Sequence, residues 1–267
     1  MDSLLRLALA LFALCAPVRK EGRVIAAHHS LLRAGGATSR DYVQDGLYYQ
    51  LDGIENAGRG VHSATATTWT DLTGNGRDAT FLSAASGLVW QDDAAYLYGK
   101  THDGMAKISG LPSMTAFTFE IVHRMDANEG YGRCFESEAY GSGAKRFSCM
   151  NGTGSDTSKC GFNLASDTDI PIFPVSSIAR SFAVVPAKSG NIYGPKVYLN
   201  GAYANTTFPG SATTPQLASY LDVANRSNNP NRGCDMAVFA IRCYNRILTD
   251  AEIAANFAID QERFNLT

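Results

Sequence analysis

The chain has few charged residues and lacks the common signatures of catalytic and metal sites. Charged residues make up 18% of its 267 residues, below the roughly 25% of an average domain. The net charge is −2 and no dense basic stripe is present, which argues against nucleic-acid binding, because phosphate contacts dominate that affinity. The sequence contains no CxxC pair, HExxH, P-loop or Gly-x-Ser-x-Gly element, so neither a zinc cluster nor the enzymes that carry those elements are indicated.

Long hydrophobic runs are also missing, with one exception at the N-terminus. Leu4 to Ala16 is apolar apart from Arg6, but it is shorter than the roughly 20 residues of a membrane-spanning helix. Two interpretations stay open: a secretory signal peptide, or a helix that docks on a partner. A basic stretch containing Ala and Gly follows. We therefore expect residues 1–40 to be an N-terminal arm or signal-like segment and residues 41–267 to be the folded domain.

The six cysteines do not form a metal-binding pattern. Free, buried thiols are the simplest interpretation, because unpaired cysteine behaves as a small apolar side chain. In an oxidising compartment, Cys149 could pair with Cys160 or with Cys134, since this region has the pattern of a hairpin. Both interpretations remain open at the level of sequence.

Turn-forming and aromatic residues are abundant, with 25 Gly, 12 Tyr and 13 Phe. From Asp41 onward, short alternating segments recur between turns, and the clearest is Ala116 to His123. Asn200 and Gly201 form a dipeptide typical of a tight hairpin turn, because both tolerate positive φ. About a dozen such segments predict an all-β, two-sheet antiparallel sandwich.

The last part of the chain predicts a buried strand followed by a capped helix. Residues 236–244 are almost entirely apolar, and Thr249 is followed three residues later by Glu252. This spacing matches a capping box, in which each side chain bonds the other residue's backbone amide. Ile253 and Phe257 are four residues apart, so they form one apolar stripe on the helix.

This ending resembles the close of laminin-G-like domains in the concanavalin A-like lectin/glucanase superfamily. Three other segments resemble landmarks of those domains in the same order: Trp69–Asp78, Phe117–Val122 and Lys196–Gly201. The resemblance spans about residues 45–260 and implies a jelly-roll sandwich with a short C-terminal helix. Within it, we expect Trp69 to fill the core and Asp71, Asn75 and Asp78 to hold a turn by side-chain-to-backbone bonds.

Catalysis is not expected. Glycanases of this superfamily carry paired carboxylates in an E-x-D-x-x-E strand, as nucleophile and acid, and the chain has no such segment. Glu136 and Glu138 would share a strand face, but we interpret them as a solvated or cation-facing edge. The protein is therefore predicted not to be an enzyme.

Two segments combine aromatic and polar side chains in the way that sugar binding requires. The first lies around residues 131–140 and the second is a polar loop at residues 225–232. The candidate ligand-binding residues are Tyr131, Arg133, Phe135, Tyr140, Asn225, Arg226 and Arg232. A turn-like cluster, Asp126, Asn128 and Glu129, supplies candidate ligands for calcium, which takes six to eight oxygens.

The resemblance implies glycan or protein adhesion, or a place in an appendage of a phage or bacterial surface. We expect a non-catalytic adhesion or recognition module, on a virion or an extracellular cell surface, that binds a glycan or another surface ligand. The alternative is a structural virion component, such as a capsid decoration or a tail or fibre subunit. There, residues 1–40 would dock on neighbouring subunits.

Overall fold

The computed structural model describes residues 36–82, 88–91, 96–99, 105–126, 132–137, 147–153, 156–164, 170–174, 176–206, 217–225 and 233–267. These ranges hold sixteen strands and one helix. In chain order they are β1 (Leu47–Asp52), β2 (Thr68–Trp69), β3 (Ala79–Leu82), β4 (Leu88–Trp90), β5 (Leu97–Gly99), β6 (Met105–Met114), β7 (Thr118–Met125), β8 (Gly132–Ser137), β9 (Phe147–Thr153), β10 (Asp156–Leu164), β11 (Ile170–Pro174), β12 (Arg180–Ser189), β13 (Ile192–Leu199), β14 (Ala202–Thr206), β15 (Leu217–Val223), β16 (Met236–Tyr244) and α1 (Asp250–Phe264).

The strands form two antiparallel sheets of eight strands each. Sheet A has the order β14-β13-β12-β7-β16-β5-β4, and β1 also pairs with β16. Sheet B has the order β11-β10-β9-β8-β15-β6-β3-β2. Because β7 occupies one edge of β16, β1 and β5 share the other edge, end to end. The predicted all-β, two-sheet sandwich with a C-terminal helix is confirmed.

The core lies between the two sheets and is rich in aromatic rings. Phe119 contacts Phe135 and Phe147 at ring-centroid distances of 4.5 and 5.3 Å. Trp69 is fully buried, packs edge-on against Trp90 at 5.3 Å, and donates its indole N–H to a backbone carbonyl. The prediction that Trp69 fills the core is confirmed.

The turn after Trp69 is held by its acidic and amide side chains. Asp71 Oδ1 accepts from the Thr73 amide at 3.1 Å, and Asp78 Oδ1 accepts from the Asp71 amide at 2.7 Å. Asn75 Nδ2 donates to the Tyr48 carbonyl at 3.0 Å. These bonds confirm the predicted side-chain-to-backbone turn.

Helix α1 packs on the outer face of sheet A. Its N-terminus carries the predicted capping box, with Thr249 and Glu252 each bonding the other's backbone amide. Ile253 is buried as expected, and so are Asn256 and Asp260 on the same helix. The helix therefore docks through polar as well as apolar side chains.

Four cysteines are described in full, namely Cys134, Cys149, Cys234 and Cys243, and all are buried thiols that form no disulfide bond. The free-thiol interpretation is confirmed for these four, and a Cys134–Cys149 bond is not formed. Cys15 and the side chain of Cys160 lie outside what the structure describes.

Residues 36–267 form one compact unit. Its first residues are bonded to the domain: the Ala37 amide donates to Glu262 at 2.8 Å, and the Ser39 carbonyl accepts from Gln50 at 2.7 Å. Residues 1–35 lie outside the described ranges, so the N-terminal arm stays a prediction. Within the described ranges, α1 is neither long nor apolar enough to cross a bilayer.

Candidate functional site

A β-bulge in β8 sets the directions of the side chains around the candidate site. The register between β8 and β9 shifts between Arg133 and Phe135, which leaves Cys134 as an extra residue. A bulge interrupts the alternation of a strand, so Arg133 and Glu136, three residues apart, face the same side of sheet B. Their side chains meet there, with Arg133 Nε 2.7 Å from Glu136 Oε2.

The same bulge turns Phe135 into the core. Phe135 is fully buried and packs against Phe119 and Phe147. The prediction that Phe135 lines a ligand surface is therefore wrong, because its ring faces sheet A and presents no area to a ligand.

Five polar residues stand side by side across the outer face of sheet B. Asp222 lies directly opposite Lys107 on one neighbouring strand and opposite Glu136 on the other. Thr80 lies opposite Lys107, and Ser148 opposite Glu136. Directly opposed residues in antiparallel strands share a face, with Cβ atoms about 5 Å apart. We call Thr80, Lys107, Asp222, Glu136 and Ser148 the polar row.

Each carboxylate of the polar row has a cation beside it. Lys107 Nζ lies 3.9 Å from Asp222 Oδ1, and Arg133 pairs with Glu136. Lys107 Nζ also lies 3.9 Å from the ring centroid of Tyr220, in a cation–π contact. Two cations and two carboxylates thus occupy adjacent positions on three strands.

Exposure falls steadily along the polar row. Thr80 is exposed, Lys107 is half-buried, and Asp222, Glu136 and Ser148 are buried. Tyr220 is half-buried beside Lys107. The accessible end of the site is therefore the end formed by Thr80, Lys107 and Tyr220.

This arrangement can bind a hydroxyl-rich ligand. An ammonium group donates hydrogen bonds, carboxylates accept them, and an aromatic face stacks against the apolar face of a ring. Small-molecule sites typically combine an apolar contact surface with a few placed polar groups, which describes Tyr220 beside the polar row.

Besides Phe135, two of the residues predicted to bind ligand are described, Arg133 and Asn225, and both are buried. Arg133 lies beside the polar row, and Asn225 follows the end of β15. Glu136 was predicted to lie at a solvated edge or to face a cation. The structure shows it facing a cation, Arg133. Its strand β8 is an inner strand of sheet B and not an edge strand. The remaining candidates, Tyr131, Tyr140, Arg226 and Arg232, lie outside the described residues.

The predicted calcium ligand Asp126 is already engaged by a guanidinium group. Arg124 Nε and Nη2 donate to the two Asp126 oxygens at 2.6 and 2.8 Å. A cation at Asp126 would have to displace this pair. Asn128 and Glu129 lie outside the described ranges, and inside them no three His, Cys, Asp or Glu side chains cluster in a way that suits a metal.

Sequence reasoning missed Lys107, Asp222 and Tyr220. Tyr220 and Asp222 are two residues apart in a strand pattern, so their shared face was predictable. Their position beside Glu136 was not, because strand pairing across more than 80 residues of sequence is invisible to local patterns.

Comparisons with known proteins identify the fold. No protein-family model matches the sequence, and no curated protein sequence matches it. Among solved structures, the sialidase of Trypanosoma rangeli superposes with a TM-score of 0.59 and 15% identity, over 90% of this chain and 38% of the sialidase.

The binding domain of botulinum neurotoxin DC, solved with rat synaptotagmin II, superposes with a TM-score of 0.53 and 10% identity, over 80% of this chain and 51% of that chain. A structure of botulinum neurotoxin type C gives the same values. This chain thus spans well under two thirds of each of these neighbours. At these identities the likeness is one of fold, and it places the chain among two-sheet β-sandwich domains.

Proposed function

We propose that this protein is a non-catalytic recognition module of the laminin-G-like type, presented on a phage virion or bacterial surface, which binds a glycan on the outer face of sheet B. The observation that carries the proposal is the polar row, with Tyr220 beside its accessible end. Its charged groups come from three adjacent strands, so the rigid sheet rather than a loop sets their spacing.

The chemistry of the accessible end supports a sugar ligand. Tyr220 offers an aromatic face, and Lys107 offers ammonium donors 3.9 Å from that ring. A pyranose presents an apolar face and a rim of hydroxyl groups, so the ring and the ammonium group can be engaged together. Asp222, in contact with Lys107, holds the ammonium group in place.

The structural neighbours support the same class of ligand. The sialidase was solved with sialic acid, and cell entry of the type C neurotoxin is described as dependent on two ganglioside molecules. These are properties of those proteins, and the match to each is partial. They support a glycan as the ligand of this domain without naming one.

A glycan array followed by calorimetry tests the proposal. We expect Tyr220→Ala and Lys107→Met to weaken binding about tenfold or more, since stacking and charged hydrogen bonds each contribute on the order of 1–3 kcal/mol. The matched control is Tyr203→Ala, because Tyr203 is 54% exposed on β14 of the other sheet. Equal effects of the two tyrosine variants would refute the site. Repeating the binding measurement with a calcium chelator tests the predicted calcium ligands Asp126, Asn128 and Glu129.

Hydrolysis of the glycan is a second candidate, favoured by one observation. Asp222 and Glu136 are directly opposed, which sets their Cβ atoms about 5 Å apart, and retaining glycosidases hold two carboxyl groups roughly 5 Å apart. Each of these carboxylates already forms an ion pair, Glu136 with Arg133 and Asp222 with Lys107, and both are buried. The arrangement therefore favours binding over hydrolysis. Cleavage of a bound glycan that Glu136→Gln abolishes would establish hydrolysis instead.

A further inference from the structure

Two cysteines that are far apart in the sequence meet in the core. Cys234 Sγ lies 4.0 Å from Cys134 Sγ, although their positions in the chain differ by 100. Cys134 is the extra residue of the bulge in β8, and Cys234 precedes the start of β16 by two residues. Both side chains are buried, so this contact joins sheet B to the chain that enters the middle of sheet A.

Backbone hydrogen bonds hold the two cysteines next to each other. The Cys134 carbonyl accepts from the Ala224 amide at 2.8 Å, and the Cys234 amide donates to the Ala224 carbonyl at 3.2 Å. The Cys234 thiol also lies 3.2 Å from the Arg133 carbonyl, to which it donates. Ala224 is thus a common neighbour of both cysteines, and the backbone sets the distance between their sulfur atoms.

The two thiols are placed to form a disulfide bond. A disulfide has a sulfur–sulfur distance of about 2.05 Å, so each sulfur atom has to move by roughly 1 Å. Rotation of the side chains about their Cα–Cβ bonds provides a movement of this size. The neighbouring sulfur atom, Met125 Sδ at 3.9 Å from Cys134 Sγ, belongs to a flexible side chain that can follow the change.

Burial determines when such a bond can form. Burial, together with a hydrogen bond between Cys134 and Cys149, raises the pKa of the Cys134 thiol well above its ordinary value. The thiolate is the form that reacts with disulfides, and inside the folded domain Cys134 is protonated and out of reach of an oxidant. Oxidation therefore has to take place during folding, while the thiols are still exposed.

We propose that Cys134 and Cys234 are oxidised to a disulfide bond when the protein folds in an oxidising compartment. The oxidant is a small disulfide such as oxidised glutathione. One protein thiolate attacks it, which forms a mixed disulfide and releases one glutathione. The second protein thiolate attacks the mixed disulfide and releases the other glutathione. Two electrons pass from the protein sulfur atoms to glutathione, and the two thiol protons end on the released glutathione molecules.

The bond ties the bulge of β8 to the start of β16. It closes a loop of about 100 residues, and a disulfide restricts the unfolded chain more when the loop is long. The bulge also sets Arg133 and Glu136 on the same face of sheet B, so the bond holds the backbone beneath the polar row in place. It forms without any ligand and is therefore independent of glycan binding.

The test is refolding of the reduced, denatured full chain in a mixture of reduced and oxidised glutathione. The remaining thiols are then alkylated and the peptides are mapped by mass spectrometry. We expect a pair of peptides linked through Cys134 and Cys234. The oxidised protein should also melt about 5–10 °C above the same protein kept reduced, because a disulfide that closes a long loop stabilises a domain of this size by about that much.

Alanine variants at equally buried cysteines separate this bond from other pairings. Cys234→Ala should abolish the difference in melting temperature between oxidised and reduced protein. Cys243→Ala and Cys149→Ala, at cysteines that are also fully buried, should keep it. Because the difference is measured within each variant, the cost of the substitution itself cancels.

The peptide map of the unsubstituted protein decides the matter even where a variant fails to fold. The proposal is overturned if that map shows Cys134 reduced or linked to another cysteine, with Cys149 as the competing partner. It is also overturned if oxidation leaves the melting temperature unchanged, or if Cys234→Ala and Cys243→Ala behave alike.

Discussion

Arg242 and Asp260 form a buried ion pair through two parallel hydrogen bonds, with both oxygens 2.7 Å from the guanidinium group. Their side chains are 1% and 0% exposed, and they join β16 to α1. Glu120 of β7 accepts a further bond from Arg242 Nε at 2.7 Å, and Tyr42 donates to Asp260 at 2.9 Å. Buried ion pairs and hydrogen bonds thus hold α1 against sheet A.

Removing one member of this pair should lower the free energy of unfolding substantially. We expect Asp260→Asn to lower the free energy of unfolding by about 3–5 kcal/mol, because the buried Arg242 guanidinium keeps only Glu120 as a counter-charge and meets an amide N–H₂ group where it had a carboxylate oxygen. The control is Lys196→Met, which removes the partly exposed Lys196–Asp250 pair and should change the free energy by less than about 1 kcal/mol. Urea unfolding of both variants provides the measurement, and similar losses would contradict the role of burial.

Glu252 should make the domain sensitive to acid. Hydrogen bonds from Arg246 and from the Thr249 amide lower the pKa of Glu252 from 4.5 to about 2. A carboxyl whose pKa is lower in the folded state stabilises that state above its unfolded pKa. This contribution is therefore complete above about pH 4.5 and is lost as the pH falls toward 2. Glu252→Gln should flatten the stability profile in that window, as followed by thermal unfolding at stepped pH.

His123 should make the stability of the domain depend on pH in a higher pH range than Glu252 does. Burial lowers the pKa of His123 from 6.5 to about 4, and the guanidinium group of Arg180 acts in the same direction. Because the unfolded chain takes up the proton first, stability is complete above about pH 6.5 and falls as the pH drops to 4. The shift corresponds to about 3 kcal/mol. His123→Phe should remove this slope between pH 6.5 and 4, and an unchanged slope would show that another group causes it.

Gly201 should tolerate no side chain. Its φ is +74°, and a Cβ there would lie 2.8 Å from the Cβ of Phe257 on α1. We expect Gly201→Ala to destabilise the domain by about 2 kcal/mol or more, from backbone strain and from the clash. Gly190→Ala is the matched control, because Gly190 has φ +58° with open space around it and should show only the strain of about 1 kcal/mol. Equal losses would show that the contact with α1 is unimportant.

Local chemistry made parts of the fold predictable. The capping box at Thr249, the Asp71 turn and the burial of Trp69 all follow from residues close together in sequence. The burial of Phe135 could not be predicted in this way, because one extra residue in β8 reverses the face of the sheet on which Phe135 lies. The polar row was equally out of reach, since it depends on the register that sets Asp222 opposite both Lys107 and Glu136.

The place of β16 in the chain has a consequence for biosynthesis. This strand pairs with β7, β5 and β1, yet every other strand that the structure describes precedes it in sequence. During translation, β1 must therefore wait for about 190 further residues to emerge before it meets its partner. Sheet A can form completely only after β16 has been synthesised, and such long-range pairing is slow and leaves strand edges open. A message cut short before the codons of β16 would yield a chain that lacks the middle of sheet A and depends on chaperones for its survival.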